Sequence, residues 1–175
     1  MSTGGLTRQA EIRKLAAHNA IIQGELKAAE LARFAKALTD DGGIISYRLA
    51  VRYNEEYRPL IEGTVSARVT VQCQRCLEPM EVDLASDLTW RVVWTDEQAK
   101  HLDRDIEPLI APEGIVDLLA ALEDELLLCL PYVSYHEPSE CNEKEVYISG
   151  EIASEETESN DQANPFKLLE SLKKT

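Results

Sequence analysis

Apolar and polar residues alternate with a period of two through the middle of the chain. The first alternating run spans residues 44–53, and its apolar positions are Ile45, Tyr47, Leu49, Val51 and Tyr53. The same pattern returns over residues 60–71 and again over residues 80–94. A period of two is typical of strands that bury one face, so the sequence predicts an antiparallel β-meander. Residues 73–79 are short enough to be a hairpin loop within it.

Helical periodicity lies on both sides of this region. Residues 26–38 place Leu31, Phe34, Ala35 and Leu38 on one face, and the paired glycines after residue 41 end the pattern. A second helix is predicted near residues 8–18, with a short strand at 20–24. Residues 115–130 form a broad apolar face that stops at Pro131, which predicts a C-terminal core helix.

These elements predict an α+β fold with three parts. Residues 1–136 are expected to form a single globular α+β domain, in which N-terminal helices precede the meander and one core helix follows it. Residues 137–163 are expected to be an acidic flexible tail, because nine acids face one base between residues 137 and 161. Residues 164–175 are expected to be a short helical docking segment.

The docking segment has a helical apolar face of its own. Three apolar residues lie on one face of this predicted helix and are the candidate partner-binding residues: Phe166, Leu169 and Leu172. Asn164 followed by a proline is a favourable helix start. The segment either binds a partner or folds back on its own domain, and the sequence favours neither interpretation.

The net charge of the chain bears on the kind of partner it can bind. The net charge is −14, which repels nucleic-acid backbones; it either suits a basic partner such as a ribosomal protein or serves only to keep the protein in solution. Direct RNA binding would need a local basic face, and the N-terminal candidates are Arg8, Arg13, Lys14, Lys27, Arg33 and Lys36. No stretch suits a signal peptide or a membrane span, so we expect a cytoplasmic protein.

Cysteines carry the sharpest local signal. Cys73 and Cys76 form a C-x-x-C pair in the predicted hairpin loop, and His136 and Cys141 follow the core helix. Four such ligands match a structural zinc site. A thioredoxin-like redox pair and unliganded thiols are the alternatives, although a redox pair normally opens a helix. Cys129, on the apolar face of the core helix, is expected to be a small core residue.

Catalytic motifs are missing from the sequence. It contains no G-x-G-x-x-G, no P-loop and no H-E-x-x-H, and no nucleophile has a base at a suitable spacing. Glu123, Asp124 and Glu125 are consecutive on a predicted helix, so they point about 100° apart and are expected to form a solvated face or a partner-binding face. The sequence therefore indicates a protein that is not an enzyme.

Together these segments resemble the YceD family. The resemblance lies in residues 69–80 with their Cys-x-Arg-Cys hairpin, in the helix that ends in Leu130-Pro131, in His136 and Cys141, and in the C-terminal Asn164-Pro165-Phe166. It implies a factor that supports synthesis, processing or accumulation of 23S rRNA and large-subunit biogenesis. It implies no catalytic residues. Some relatives have a second C-x-x-C after the helix, which supports the four-ligand metal site.

Overall fold

The chain folds as helices against one face of a mixed sheet. The computed structural model describes residues 6–103, 106–137 and 140–141. Within those ranges the elements, in order, are β1 (Ala10–Glu11), α1 (Ile12–Ala17), β2 (Ile21–Lys27), a 3-10 turn (Ala28–Glu30), α2 (Ala32–Ala37), β3 (Ile44–Tyr53), β4 (Pro59–Gln72), β5 (Pro79–Val93), α3 (Asp96–Ala99), β6 (Glu107–Ile110), β7 (Ile115–Val116) and α4 (Leu118–Cys129).

The main sheet confirms the predicted meander. In the described residues it has five strands in the order β2-β3-β4-β5-β6, and each pair from β2 to β5 is antiparallel. The strand β6 is parallel to β5, which the sequence did not predict. A parallel neighbour requires a crossover connection, and α3 lies on that connection. The short strands β1 and β7 pair separately, joining Ala10 to Val116.

Alternation along the strands places the core on one face. In β3 the inward residues are Ile45, Tyr47, Leu49 and Val51, and all are buried. Gly63 of β4 stands opposite Leu49, where an added Cβ would lie 2.2 Å from the carbonyl oxygen of Arg48. Only glycine fits at that point of the sheet, because the backbone cannot move without breaking the strand pairing.

The helices cover the buried face. The helix α1 packs against β3 and β4, whereas α4 packs against β5 and α2. Asp117 begins α4 by accepting a hydrogen bond from the backbone N–H of Ala120 at 2.9 Å. Leu118, Leu122 and Leu126 of α4 are fully buried. The predicted core helix and α+β class are therefore confirmed.

The predicted helix over residues 26–38 is wrong in its first part. Leu26 and Lys27 belong to β2 and pair with Ile45 and Ile44, and a helix resumes only at Ala32. The helix-forming residues Ala, Lys and Glu are overruled by strand pairing that buries Leu26. The N-terminal helix is likewise shorter than residues 8–18.

The start of the core helix was also placed too early. Ile115 and Val116 form β7, so the helix begins at Leu118 rather than at residue 115. Val116 is buried through pairing with β1, whereas Ile115 is exposed, and a helical pattern cannot distinguish these two apolar residues from a first turn.

Several predictions lie outside the described residues. These are most of the acidic tail and the whole docking segment, including Phe166, Leu169 and Leu172. Within the part of the chain that the structure describes, no helix is long and apolar enough to cross a membrane.

Candidate metal centre

The β4–β5 hairpin ends in a tight turn that carries two cysteines. The Cys73 carbonyl accepts the N–H of Leu77 at 2.9 Å, and the Cys73 N–H donates to Glu78 at 2.9 Å. Leu77 has a positive φ of 62°, the left-handed conformation that turns the chain back into β5. The turn therefore points the Cys73 and Cys76 side chains to the same side.

The segment after α4 returns to this turn. The carbonyl of Ser134 accepts the backbone N–H of Gln74 at 2.9 Å. His136 Nε2 lies 3.1 Å from the carbonyl oxygen of Pro79, at the start of β5. Cys141 is buried, and its N–H donates to the Glu137 carbonyl at 3.0 Å. The Ser134 carbonyl and the His136 ring thus anchor this segment on the hairpin, and a local bond to Glu137 positions Cys141 within the segment.

All four predicted ligands come together. The three sulfur atoms and one imidazole nitrogen lie within 4.8 Å of one another. The Cys73 and Cys141 sulfurs are 4.0 Å apart, and the Cys76 sulfur is 3.3 Å from His136 Nδ1. Ligand atoms around a tetrahedral zinc are separated by about 3.8 Å, given Zn–S bonds of about 2.3 Å. The arrangement has the dimensions of a four-ligand metal site.

The hydrogen bond from His136 fixes which nitrogen faces the cluster. A carbonyl oxygen only accepts, so Nε2 of His136 carries the proton that binds the Pro79 carbonyl. In the neutral ring, the lone pair of Nδ1 then points toward Cys76. Metal-binding histidines usually donate their other N–H to a carbonyl in this way. The donor set therefore fits a metal ligated through Nδ1.

The surroundings of Cys73 favour its thiolate. Burial raises the pKa of Cys73, but backbone hydrogen bonds, chiefly with Cys76 and His136, outweigh it and bring the pKa to about 5. Contact with the Cys76 sulfur raises the pKa of His136. Metal ligation requires deprotonated cysteines, so a thiol with a low pKa is prepared for it.

Arg75 supplies the compensating charge. Its Nε donates to the Cys141 sulfur at 2.9 Å, and its guanidinium also reaches the carbonyl of His136 at 3.3 Å. Three thiolates with a neutral imidazole and a divalent ion sum to one negative charge, which a single arginine offsets. Arg75 was not among the predicted site residues. Its place inside the C-x-x-C motif was the available signal.

The other residues singled out in the sequence lie elsewhere. Cys129 is half-buried and packs against the core, and burial raises its pKa. The carboxylates of Glu123 and Asp124 do converge: both bind Arg33, at 2.9 Å and 2.6 Å. The expected solvated face is therefore wrong for Glu123, whose exposed fraction is 8%.

The predicted N-terminal basic residues occupy separate environments. Arg33 binds the two acids of α4, and Arg8 lies 3.7 Å from Asp117. Arg13 stacks over the Trp94 ring, with its guanidinium carbon 4.6 Å from the ring centroid. The structure thus assigns Arg8 and Arg33 to ion pairs within the domain.

Comparisons with known proteins agree with the resemblance seen in the sequence. Residues 61–173 match the family model described as "Large ribosomal RNA subunit accumulation protein YceD". A Haemophilus influenzae protein with the same name is 30% identical over 152 residues, which is 86% of each chain. No solved structure matches the chain significantly. The family match contains the whole metal cluster and more than half of the chain. The chain therefore belongs to the YceD family.

Proposed function

We propose that this chain supports the accumulation of large-subunit ribosomal RNA as a non-catalytic factor in large-subunit biogenesis. Membership of a family named for that role carries the proposal. The metal cluster is consistent with it, because three sulfurs and one nitrogen fill all four tetrahedral positions and leave none for a substrate. The cluster therefore suits a structural role.

Zinc is the ion we assign to this cluster. Cys73, Cys76, His136 and Cys141 would hold it, and soft thiolates with one imidazole are the ligands that zinc takes in structural sites. When bound, the ion would crosslink the hairpin to the segment after α4. That segment has few other anchors among the described residues, the chief ones being the contacts of Ser134 and His136.

A basic ribosomal or assembly protein is the partner we propose. The net charge of −14 favours it, and the segment beside the cluster exposes large apolar side chains. Tyr132 is 97% exposed, Leu128 is 75% exposed and Tyr135 is 55% exposed. Apolar anchors inside an acidic surface suit a basic partner with apolar residues of its own. The apolar residues of segment 164–175, Phe166, Leu169 and Leu172, would add a second contact.

Complementation of a gene-deletion strain tests the proposed function. The chain should restore the ratio of 23S to 16S rRNA, measured on total RNA. The variant Cys73→Ser/Cys76→Ser should restore it poorly, and Cys129→Ser, a matched thiol change outside the cluster, should restore it fully. An unchanged 23S to 16S ratio in the deletion strain would refute the rRNA role.

Elemental analysis tests the metal assignment separately. Untagged protein purified under reducing conditions should carry close to one zinc per chain, and the Cys73→Ser/Cys76→Ser variant should carry almost none. Cys129→Ser should keep the zinc of the parent. A parent protein without zinc, and unable to take it up, would refute the assignment and leave the rRNA role standing.

A further inference from the structure

A cleft lies at the other end of β4 and β5 from the metal cluster. It has a volume of about 480 Å³ and is bounded by α1, the β3–β4 turn, the end of β5 and α3. The residues that line it and matter here are Arg13, Tyr53, Tyr57, Arg58 and Trp94. They come from four separate parts of the chain, so the fold alone assembles them.

The cleft is cationic on a strongly acidic protein. Among the described residues that line it, two carry a positive charge, Arg13 and Arg58, and none carries a carboxylate. Glu56 belongs to the same turn as Arg58: its carboxylate lies 3.5 Å from Arg58 Nε and is itself well exposed. An exposed pair of this kind is weak and leaves the guanidinium available to an anion. A local positive site therefore exists despite the net charge of −14.

Aromatic faces adjoin these cations. Tyr57 is 86% exposed, and Arg13 stacks on Trp94 at the other wall of the cleft. The turn that carries Tyr57 is held by Asn54, whose side chain accepts the N–H groups of Glu56 and Arg58 at 3.2 Å and 2.8 Å. The ring is therefore displayed on a defined turn.

Tyr57 also adopts an unfavourable backbone conformation. Its φ is 55°, where asparagine or glycine is favoured over a bulky residue. A tyrosine here has no burial to offset that cost, since most of its ring is in solvent. Backbone strain at an exposed aromatic residue indicates that the ring has a role other than stabilising the fold.

We propose that this cleft binds a segment of single-stranded RNA, with a base stacked on Tyr57 and backbone phosphates held by Arg13 and Arg58. Stacking faces beside guanidinium groups are the combination that single strands require. An acidic polypeptide would use the arginines but not the exposed ring. This inference goes beyond the proposed function, and its residues lie apart from the metal cluster.

Fluorescence anisotropy with a labelled single-stranded RNA of 12 nucleotides tests it on the full chain. Tyr57→Asn should weaken binding about 10-fold, because one stacking contact is lost while asparagine suits the turn. Arg13→Gln/Arg58→Gln should weaken RNA binding about 10-fold or more. It should also reduce the slope of the logarithm of the binding constant against the logarithm of the salt concentration by about two, one for each lost phosphate contact. Arg68→Gln is the matched control, because Arg68 pairs with Asp83 away from the cleft.

Three results would overturn the inference. The first is failure of the parent chain to bind the RNA at low salt. The second is an equal loss of binding in Arg68→Gln. The third is displacement of the RNA by polyglutamate as effectively as by unlabelled RNA, which would instead assign the cleft to acidic polypeptides. Circular dichroism of each variant confirms that the fold is retained, and Cys73→Ser/Cys76→Ser should bind RNA like the parent.

Discussion

The two ends of β4 carry very different chemistry. Pro59, at the start of the strand, lines the cationic aromatic cleft, whereas Gln72, at its end, precedes the first cysteine of the metal cluster. The strand has 14 residues, so roughly 45 Å of extended backbone separates the two ends. One end gathers three sulfurs and an imidazole that would hold an ion, and the other displays rings and guanidinium groups to solvent.

The contrast shows that one sheet can support both a closed and an open site. At the metal end, Cys73 and Cys141 are buried and hydrogen bonded on several sides. At the cleft end, Tyr57 is exposed on a short turn that the backbone and side chain of Asn54 hold. Changes at the two ends should therefore have separable effects, on stability at the first and on binding at the second.

Removing the metal ligands should give the largest effect. With zinc at about 1,000 times its dissociation constant, binding contributes about 4 kcal/mol, so Cys73→Ser/Cys76→Ser should lower the melting temperature by about 10 °C. Differential scanning calorimetry of zinc-loaded protein measures this change. A chelator should lower the melting temperature of the parent and leave the variant unchanged.

The cleft should not respond to that change. If Cys73→Ser/Cys76→Ser lost RNA binding while its sheet remained folded, the two ends would be coupled and the separation described above would be wrong. Limited proteolysis should locate the new flexibility in residues 131–137, which a bound ion would tie to the hairpin through His136.

A smaller effect should come from Glu123, which belongs to neither end. One carboxylate oxygen accepts the backbone N–H groups of Arg33 and Phe34 at 2.6 Å and 3.2 Å, where α2 begins. Burial raises the pKa of Glu123, but these bonds and the Arg33 side chain outweigh it and hold the pKa below its ordinary range. Glu123→Gln should cost about 2 kcal/mol at pH 7, as measured by urea unfolding.

The pH dependence of that difference has a definite sign. A carboxylate with a lowered folded pKa contributes its full stability above its unfolded value, about 4.3, and loses it as the pH falls through the folded pKa. The difference in unfolding free energy between the parent and Glu123→Gln should therefore shrink as the pH falls below about 5. Asp124→Asn is the control, because Asp124 is exposed and its pair should contribute under about 1 kcal/mol.

The smallest effect on stability should come from Tyr57→Asn. Asparagine tolerates a positive φ, so the variant should be equal to the parent or more stable by about 0.5 kcal/mol in urea unfolding. A destabilised variant would mean that the tyrosine ring supports the turn. The cleft end of β4 would then contribute to stability as the metal end does, and the two ends would differ less than proposed.

The sequence predicted the metal end far better than the cleft end. A C-x-x-C pair has a fixed short spacing, and cysteines and histidines are rare enough in this chain for Cys73, Cys76, His136 and Cys141 to stand out. The cleft residues are common types at unrelated positions. No local pattern links Arg13 to Tyr57 or Trp94, because only strand pairing and helix packing bring them together.

Among the strands, the long ones were predicted accurately and the short ones were not. Alternation located β3, β4 and β5 nearly to the residue, because one face of each is buried along its length. It failed at Leu26, which precedes a run of helix-forming Ala and Glu residues, and at Ile115, which continues the apolar pattern of the helix that follows it. Pairing across a long sequence separation decides such positions, and a single sequence does not record it.

The spacing of the four ligands has a consequence for the order of events during synthesis. Cys73 and Cys76 emerge from the ribosome about 60 residues before His136, so the hairpin can form early with only half of a tetrahedral site. A chain interrupted before residue 136 never completes the set. Full coordination of a bound ion would therefore mean that translation has passed Cys141 and that α4 has docked on β5.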